Sequence, residues 1–449
     1  MPRLRPLFLT LVASLALALG ACGDDDDGGG GGSDSASKPA KAKQGTLQLW
    51  VGGNFAGATP GTPYREWLDN QIARFKEANK GSDVKITLLS TDNEQVAAKL
   101  QAAFQADQAP DMMLFYSGGY TTPYIDQLLE LNEYFDATPG FFDSLSGMDL
   151  SCEGLDCDGG KNTIIAVPQD FGTYALFYNK AMFKKAGVQA PIEDWDGLLE
   201  ACDKLKASGV TPITFGDRDG YSTDNWVTLM YGSYFDEGDV AKVNEGELKY
   251  ADPKLVQPLQ QLVDLREAGC LNKDASSREN FDANSDFTSG KSAMVLMYPA
   301  VIPDFKKKLG KDLGIMPIPQ ASDGPLAGRS VGNPFYNWVI TKDSSNPGLA
   351  WEFIKVASDE TAAGELLTVL GTPPANTNVD EGAVSDEFVQ FFVDASEDPA
   401  MPVLDSVIPV PVALTYYKEL QQALSGKKTA QEAMESMDEQ LPTLQSDAP

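Results

Sequence analysis

Two short runs of β-branched and aromatic residues, Thr163-Ile164-Ile165-Ala166-Val167-Pro168 and Tyr174-Ala175-Leu176-Phe177-Tyr178-Asn179-Lys180, are separated only by Gln169-Asp170-Phe171-Gly172-Thr173. Pro168 cannot donate to a ladder and fixes its own φ, so the first run must stop there. Asn179 is a good N-cap for a short helix over 180–186, and Gly187 is placed to end it. An α/β unit is legible on each side of this stretch. It therefore reads as the crossing between two lobes, with its polar and aromatic loop facing the gap between them.

Upstream, a strand over 46–51 leads into the loop 52–55, and Leu68, Ile72 and Phe75 stripe the helix that follows. A strand over 84–89, a helix marked by Val96, Leu100 and Phe104, and a strand over 112–115 continue the alternation. Alternating strands and helices favour a largely parallel sheet, with ligands held beyond the carboxyl ends of its strands. The loops 52–55, 91–93 and 116–120 are then expected on one edge. Downstream the alternation returns with a helix over 195–208, a strand over 210–215 and an aromatic helix containing Trp226. Further crossings are expected at 298–300 and 338–342, beside one at 164–168. Asn346-Pro347 opens a helix through Trp351, and Thr429 with Glu432 forms a capping box for the last one.

The chain begins with a processing signal. Arg3 and Arg5 precede an apolar run over 7–19, shorter than the roughly 20 residues a membrane span needs. Leu19-Gly20-Ala21-Cys22 resembles a bacterial lipobox, in which the cysteine is diacylated; the Asp- and Gly-rich stretch behind it, to about residue 45, is then a flexible tether. The net charge is −30, and loss of residues 1–21 makes the chain two charges more acidic. Nucleic acid is not expected as a partner. Setting Cys22 aside leaves four cysteines in an oxidising compartment, with the pairing Cys152–Cys157 and Cys202–Cys270 expected. With no CxxC spacing and no histidine, neither a metal site nor a cofactor is expected.

Several segments carry a family resemblance in order. Phe177-Tyr178-Asn179-Lys180 through Ala186-Gly187 resembles a "YNK…F…AG" signature, and Asp194-Trp195-Asp196-Gly197-Leu198 a "TWDEL" helix start. Phe287 to Met297 is similar to "F..GKAAM", Ala350 to Lys355 to "AWEFIK", Pro110-Asp111 to a "PD" before the third strand, and Gly371 to Ala375 to "G.LPA". Together, behind a lipobox, these resemble the family 1 extracellular solute-binding proteins, the sugar-binding lipoproteins of ABC importers that include maltose-binding protein. The resemblance implies an α/β, two-lobed type II periplasmic-binding-protein fold with a hinge of multiple crossings and a ligand cleft between the lobes. Residues 46–164 with 300–337 are expected in one lobe and 168–297 with 342–449 in the other. It further implies a monomer, lipid-anchored to the outer face of the cytoplasmic membrane, that delivers a solute to permease subunits. One departure stands out. Where members usually place a cleft tryptophan, this chain has Ala300, after Tyr298-Pro299.

Sugars offer an apolar face to aromatic rings and hydroxyls to amides and carboxylates. On that chemistry the expected ligand residues are Asn54, Phe55, Asp92, Tyr116 and Ser117 from the first lobe. From the crossings and second lobe they are Asp170, Phe171, Asn225, Trp226, Tyr298, Asn333 and Phe335, with Trp226 and Tyr298 as stacking platforms. Other classes fit less well. Gly290-Lys291-Ser292 lacks the upstream glycine of a P-loop, and Asp217-Arg218-Asp219-Gly220 fails calcium-loop spacing. The absence of histidine excludes Ser-His-Asp catalysis, and no catalytic residue is expected; a secreted glycosidase, which needs only two carboxylates, is the rival class. Within the binding class, a polyol, glycerophosphodiester or polyamine is the alternative to a mono- or oligosaccharide.

Overall fold

The computed structural model describes residues 39–446 apart from 54, 56–57, 91–92, 154–156, 158–161, 322, 380–384 and 398. The signal segment and Cys22 lie outside the described residues. β1 (Thr46–Val51), β2 (Asp83–Leu88) and β3 (Met112–Tyr116) run parallel in the order β2-β1-β3, joined by the helices Pro63–Ala78 and Asn93–Gln105. Thr62 caps the first helix by accepting from the Arg65 amide, with Pro63 at its first position. Strand alternation sorts the side chains. Leu47, Leu49, Val51 and Leu114 meet Trp67, Phe75 and Phe353 on one face, whereas Met113 and Phe115 meet Val96 and Leu100 on the other.

The sheet is not parallel throughout. β4 (Val167–Pro168) lies at its edge, and between β4 and β3 runs β9 (Tyr336–Ile340), antiparallel to both. The expectation of a largely parallel sheet holds for β2-β1-β3 and fails beyond it, because β9 enters from the other lobe and so from the opposite end. The second sheet repeats this. β5 (Ala175–Asn179) lies between β7 (Ser292–Met297) and β8 (Leu313–Met316), antiparallel to each, and β6 (Thr211–Ile213) pairs parallel with β7. Asn179 caps the helix Lys180–Ala186 by accepting from Met182 N, and Gly187 ends it in the left-handed region. One face of this sheet carries the helices Trp195–Ala207, Tyr221–Met230, Pro253–Glu267 and Val410–Leu424; Phe305 and Phe392 cover the other.

The lobe boundaries differ from those expected. Ile302, Phe305 and Leu313 pack with Phe177, so the segment 300–316 belongs to the second lobe. Leu349, Trp351, Phe353 and Ile354 cover the first sheet, so residues 342–375 belong to the first. The chain crosses at 169–174, again at 317–335, and a third time after Ala375, which packs in the first lobe, before Phe388, which packs in the second. Of the expected crossings, 164–168 and 338–342 belong to the first lobe and its sheet, and 298–300 stay within the second lobe. The three crossings lie side by side. Gly172 and Asn333 exchange backbone hydrogen bonds of 2.8 and 3.1 Å, Phe171 N donates to Pro373 O, and Ala375 N donates to Gln169 O. Both cysteine pairs stand at disulfide distance, with Cα separations of 5.3 Å for Cys152–Cys157 and 5.5 Å for Cys202–Cys270.

Candidate ligand cleft

Beyond the carboxyl end of β3 the chain turns through Ser117 into a short 3-10 helix, Gly118–Tyr120. This turn meets the 3-10 helix Leu404–Ser406 and the helix Val410–Leu424 of the second lobe. The Tyr120 and Tyr417 hydroxyls are 3.0 Å apart across the junction. Around it lies a cavity of about 110 Å³, lined by Tyr116, Ser117, Tyr120, Tyr174, Tyr221, Asn225, Asn280, Tyr298, Phe335, Asp405, Ser406 and Tyr417, among others. A cavity needs about 10–15 Å³ on this measure for each water, so the space suits a small polar solute.

The rings form the walls. Tyr116 stacks on Tyr336 at 5.1 Å and tilts against Tyr120 at 5.3 Å; Tyr174 lies 5.6 Å from Phe335 and meets Tyr298 edge-on at 6.4 Å. Burial raises the Tyr116 phenol to about 12 and lifts those of Tyr120, Tyr174, Tyr221, Tyr298 and Tyr417 above their ordinary value. Each is therefore a neutral hydroxyl at physiological pH. Asp405 is the carboxyl that lines the cavity, accepting from Tyr417 Oη at 2.6 Å and Ser406 Oγ at 3.3 Å. No lysine or arginine lines the cavity among the described residues.

Of the expected ligand residues, Tyr116, Ser117, Asn225, Tyr298 and Phe335 converge here. Ser117 is already engaged: its N–H donates to Phe335 O at 3.1 Å and its hydroxyl to Pro334 O. Phe55 is buried under Tyr64, Trp67 and Tyr336, reaching only a side recess shared with Asp170 and Tyr298. Asp170 accepts from the amides of Phe335 (3.1 Å) and Tyr336 (3.0 Å), fastening the first crossing to the second. Phe171 and Asn333 line a separate, larger groove, and Asn333 Oδ1 accepts from Val403 N. Asn54 and Asp92 lie outside the described residues.

Trp226 is a correction. It is wholly buried against Phe215 and does not line the cleft. The helix Tyr221–Met230 shows why. Positions 221 and 225 are a helical i, i+4 pair and share the cleft-facing side, while residue 226 is turned a further quarter of the circumference or so (about 100°), into the core. That spacing was the signal that could have found Tyr221. Tyr120 lay within the loop expected at the edge. Nothing local marked Asp405 or Tyr417, which come from the C-terminal helices.

The sequence profile of the bacterial extracellular solute-binding proteins matches residues 70–403, most of the chain. The chain belongs to that family. Such a protein is the capture component of an ABC importer, working outside the cell or in the periplasm, and its family and structural neighbours are binding proteins rather than enzymes. This solute-binding protein is 24% identical over 417 residues, 85% of its length and 90% of the relative's, to the sn-glycerol-3-phosphate-binding periplasmic protein of Pectobacterium atrosepticum. Among solved structures it is similar to a chitin oligosaccharide binding protein (TM-score 0.77, 18% identity, 89% of this chain and 99% of that one). It is also similar to the GacH receptor of Streptomyces glaucescens, solved unliganded and with acarbose (TM-score 0.74, 22% identity, 91% and 100% covered). A third, from T. maritima, was solved with maltose (TM-score 0.71, 18% identity, 89% and 100% covered). These likenesses show the two-lobed fold. Among the described residues no helix is long and apolar enough to cross a membrane.

Proposed function

We propose that the solute captured in this cleft is a carbohydrate of one or a few rings, bound without chemical change. The observation that carries the reading is the wall of tyrosines around two amides and a carboxyl, with no lysine or arginine among the lining residues. Rings cover the apolar faces of a pyranose, while hydroxyls, amides and a carboxylate satisfy its hydroxyls. The sugars in the neighbours' structures support it.

The glycerol phosphate of the sequence relatives is the second reading, and the cleft is poorly made for it. A phosphate needs cations or a free helix N-terminus. The helix Tyr221–Met230 offers its N-terminus nearby, but Asp217 already occupies it, accepting from Thr223 N at 2.9 Å and Thr223 Oγ1 at 2.7 Å. A thermal-shift panel of mono- and oligosaccharides with sn-glycerol 3-phosphate, followed by calorimetry, tests the choice. A ligand at about 100 times its dissociation constant adds roughly 2.7 kcal/mol to the folded form. Stabilisation by the phosphate ester and by no saccharide would overturn the carbohydrate reading.

The protein is further proposed to be a monomer held by lipid at Cys22 and to hand its solute to permease subunits. Cys22→Ser should release it from the membrane fraction. Retention of the variant, with no acyl mass at Cys22 in the wild type, would refute the anchor. Chromatography of products after prolonged incubation with a bound oligosaccharide tests the absence of turnover.

A further inference from the structure

Behind Asp405 lies a second carboxyl that a neutral sugar does not use. Asp224, on the helix Tyr221–Met230, is wholly buried. Its Oδ1 accepts from Thr228 Oγ1 at 3.0 Å, and its Oδ2 has no hydrogen-bond partner. The helix that carries Asp224 packs on the 3-10 helix that carries Asp405. Burial and then the charge of Asp405 hold Asp224 well above the ordinary carboxylate range, and burial raises Asp405 against the hydrogen bonds it makes.

The titratable groups around the pair come from every side. Tyr120 faces it from the first lobe and Tyr417 from the helix Val410–Leu424; Asp217 stands before the helix that carries Asp224; Tyr231, Tyr250 and Tyr416 lie behind. All are acids or phenols. Neither carboxyl has an ion-pair partner among the described residues, and the sequence has no histidine. Two other buried acids are matched by lysines, Asp239 by Lys242 and Lys254 and Glu419 by Lys428. Asp170 and Asp217 are instead each met by two hydrogen-bond donors, whereas Asp224 Oδ2 has none.

A wholly buried carboxyl beside a half-buried one on the cleft wall resists ionising with it unless a cation joins them. The protein supplies none, and the side of Asp405 not covered by Tyr417 and Ser406 opens into the cleft. The tyrosine faces are also suited to a cation's charge.

From this arrangement we infer that the ligand is an aminated saccharide, whose ammonium sits against Asp405 with Asp224 as the second counter-charge. This rests on the carbohydrate reading and narrows it. In the empty protein the pair holds one proton. Entry of the ammonium lets both carboxyls ionise, and that proton passes to solvent.

The test is calorimetry on the exported protein at pH 6.5, in two buffers of different ionisation enthalpy. The probes are glucosamine and its β-1,4-linked di- to tetrasaccharides, each beside its N-acetylated and its 2-hydroxyl counterpart. The aminated member of at least one matched set should bind about tenfold or more tighter, as one added charge-assisted contact implies, with release approaching one proton per ligand. Asp405→Asn should bring the ratio of aminated to neutral affinity near unity, whatever it does to the neutral counterparts' own affinity. Asp224→Asn should abolish the proton release; if it does not fold, the wild-type proton count and Asp405→Asn decide alone. Saccharide binding with no amine preference, or with no proton release, would overturn the inference and leave the carbohydrate reading standing. Binding of no saccharide, or of spermidine alone, would overturn both.

Discussion

Asp170 shows how one side chain can hold the lobes and tune stability together. Burial pushes its carboxyl up to about 7, even though the amides of Tyr336 and Phe335 favour the ionised form. An unfolded aspartate titrates near 3.9. The native state therefore keeps the proton more firmly, and the stability this contributes is fully present below about pH 4. It is lost as pH rises to about 7 and is constant above that. Asp170→Asn keeps an acceptor for both amides and removes the titration. In urea unfolding, the wild type should lose roughly 2–4 kcal/mol more than the variant between pH 4 and 8, at about 1.4 kcal/mol per unit. An identical pH slope in the two proteins would contradict this account. At the two residues first expected to stack on ligand, opposite outcomes are expected. Tyr298→Ala should weaken saccharide binding by about 1–3 kcal/mol with little change in the unliganded midpoint. Trp226→Ala should cost about 3–5 kcal/mol of stability, as a large core truncation does, because its ring is wholly buried. Denaturant unfolding beside calorimetry separates the two.

Among the elements, the turn Gly118–Gly119 governs how near the lobes come. Gly118 has φ +58°, and a Cβ there would overlap the carbonyl oxygen of Ser406; one at Gly119 would overlap that of Ile408. Backbone thus approaches backbone where first-lobe residues meet the 3-10 helix that carries Asp405. Gly119→Ala, which carries no penalty of positive φ, should hold the junction open and weaken saccharide binding by about tenfold or more, or about 1.4 kcal/mol. Unchanged affinity in calorimetry would show that the junction yields without cost. The glycines were legible as a loop of the cleft edge. Their partner was not, since residues 404–408 lie almost 300 positions away and carry no pattern of their own.

For the whole molecule, the three hydrogen-bonded crossings define where the lobes can bend. Small-angle scattering should give a smaller radius of gyration with saturating saccharide than without it. No difference would argue against hinge closure on binding. The expectation that 298–300 and 338–342 serve as crossings failed for a physical reason. An apolar run ending at Pro299 looks the same whether the next helix packs on its own sheet or on the other one. Ile302 and Phe305 meet Phe177, and only that packing assigns the segment to the second lobe.

What the sequence by itself determined is the set of local units: the strand and helix periods, the Asn179 and Thr429 caps, the stop at Pro168, and the order of motifs that resembles a two-lobed binding protein. Periodicity and capping are short-range, and a few neighbouring residues suffice to state them. Even the cleft edge was readable, because in alternating α/β units the loops after the strands share one side. The tertiary structure alone decided which lobe each later segment joins, and that β9 runs against β3. It also turned Trp226 inward beside a cleft-facing Asn225, and set Asp405 in front of Asp224. Those outcomes depend on contacts between residues far apart in the chain, where helix phase and packing, and not residue type, select which side chains meet the solute.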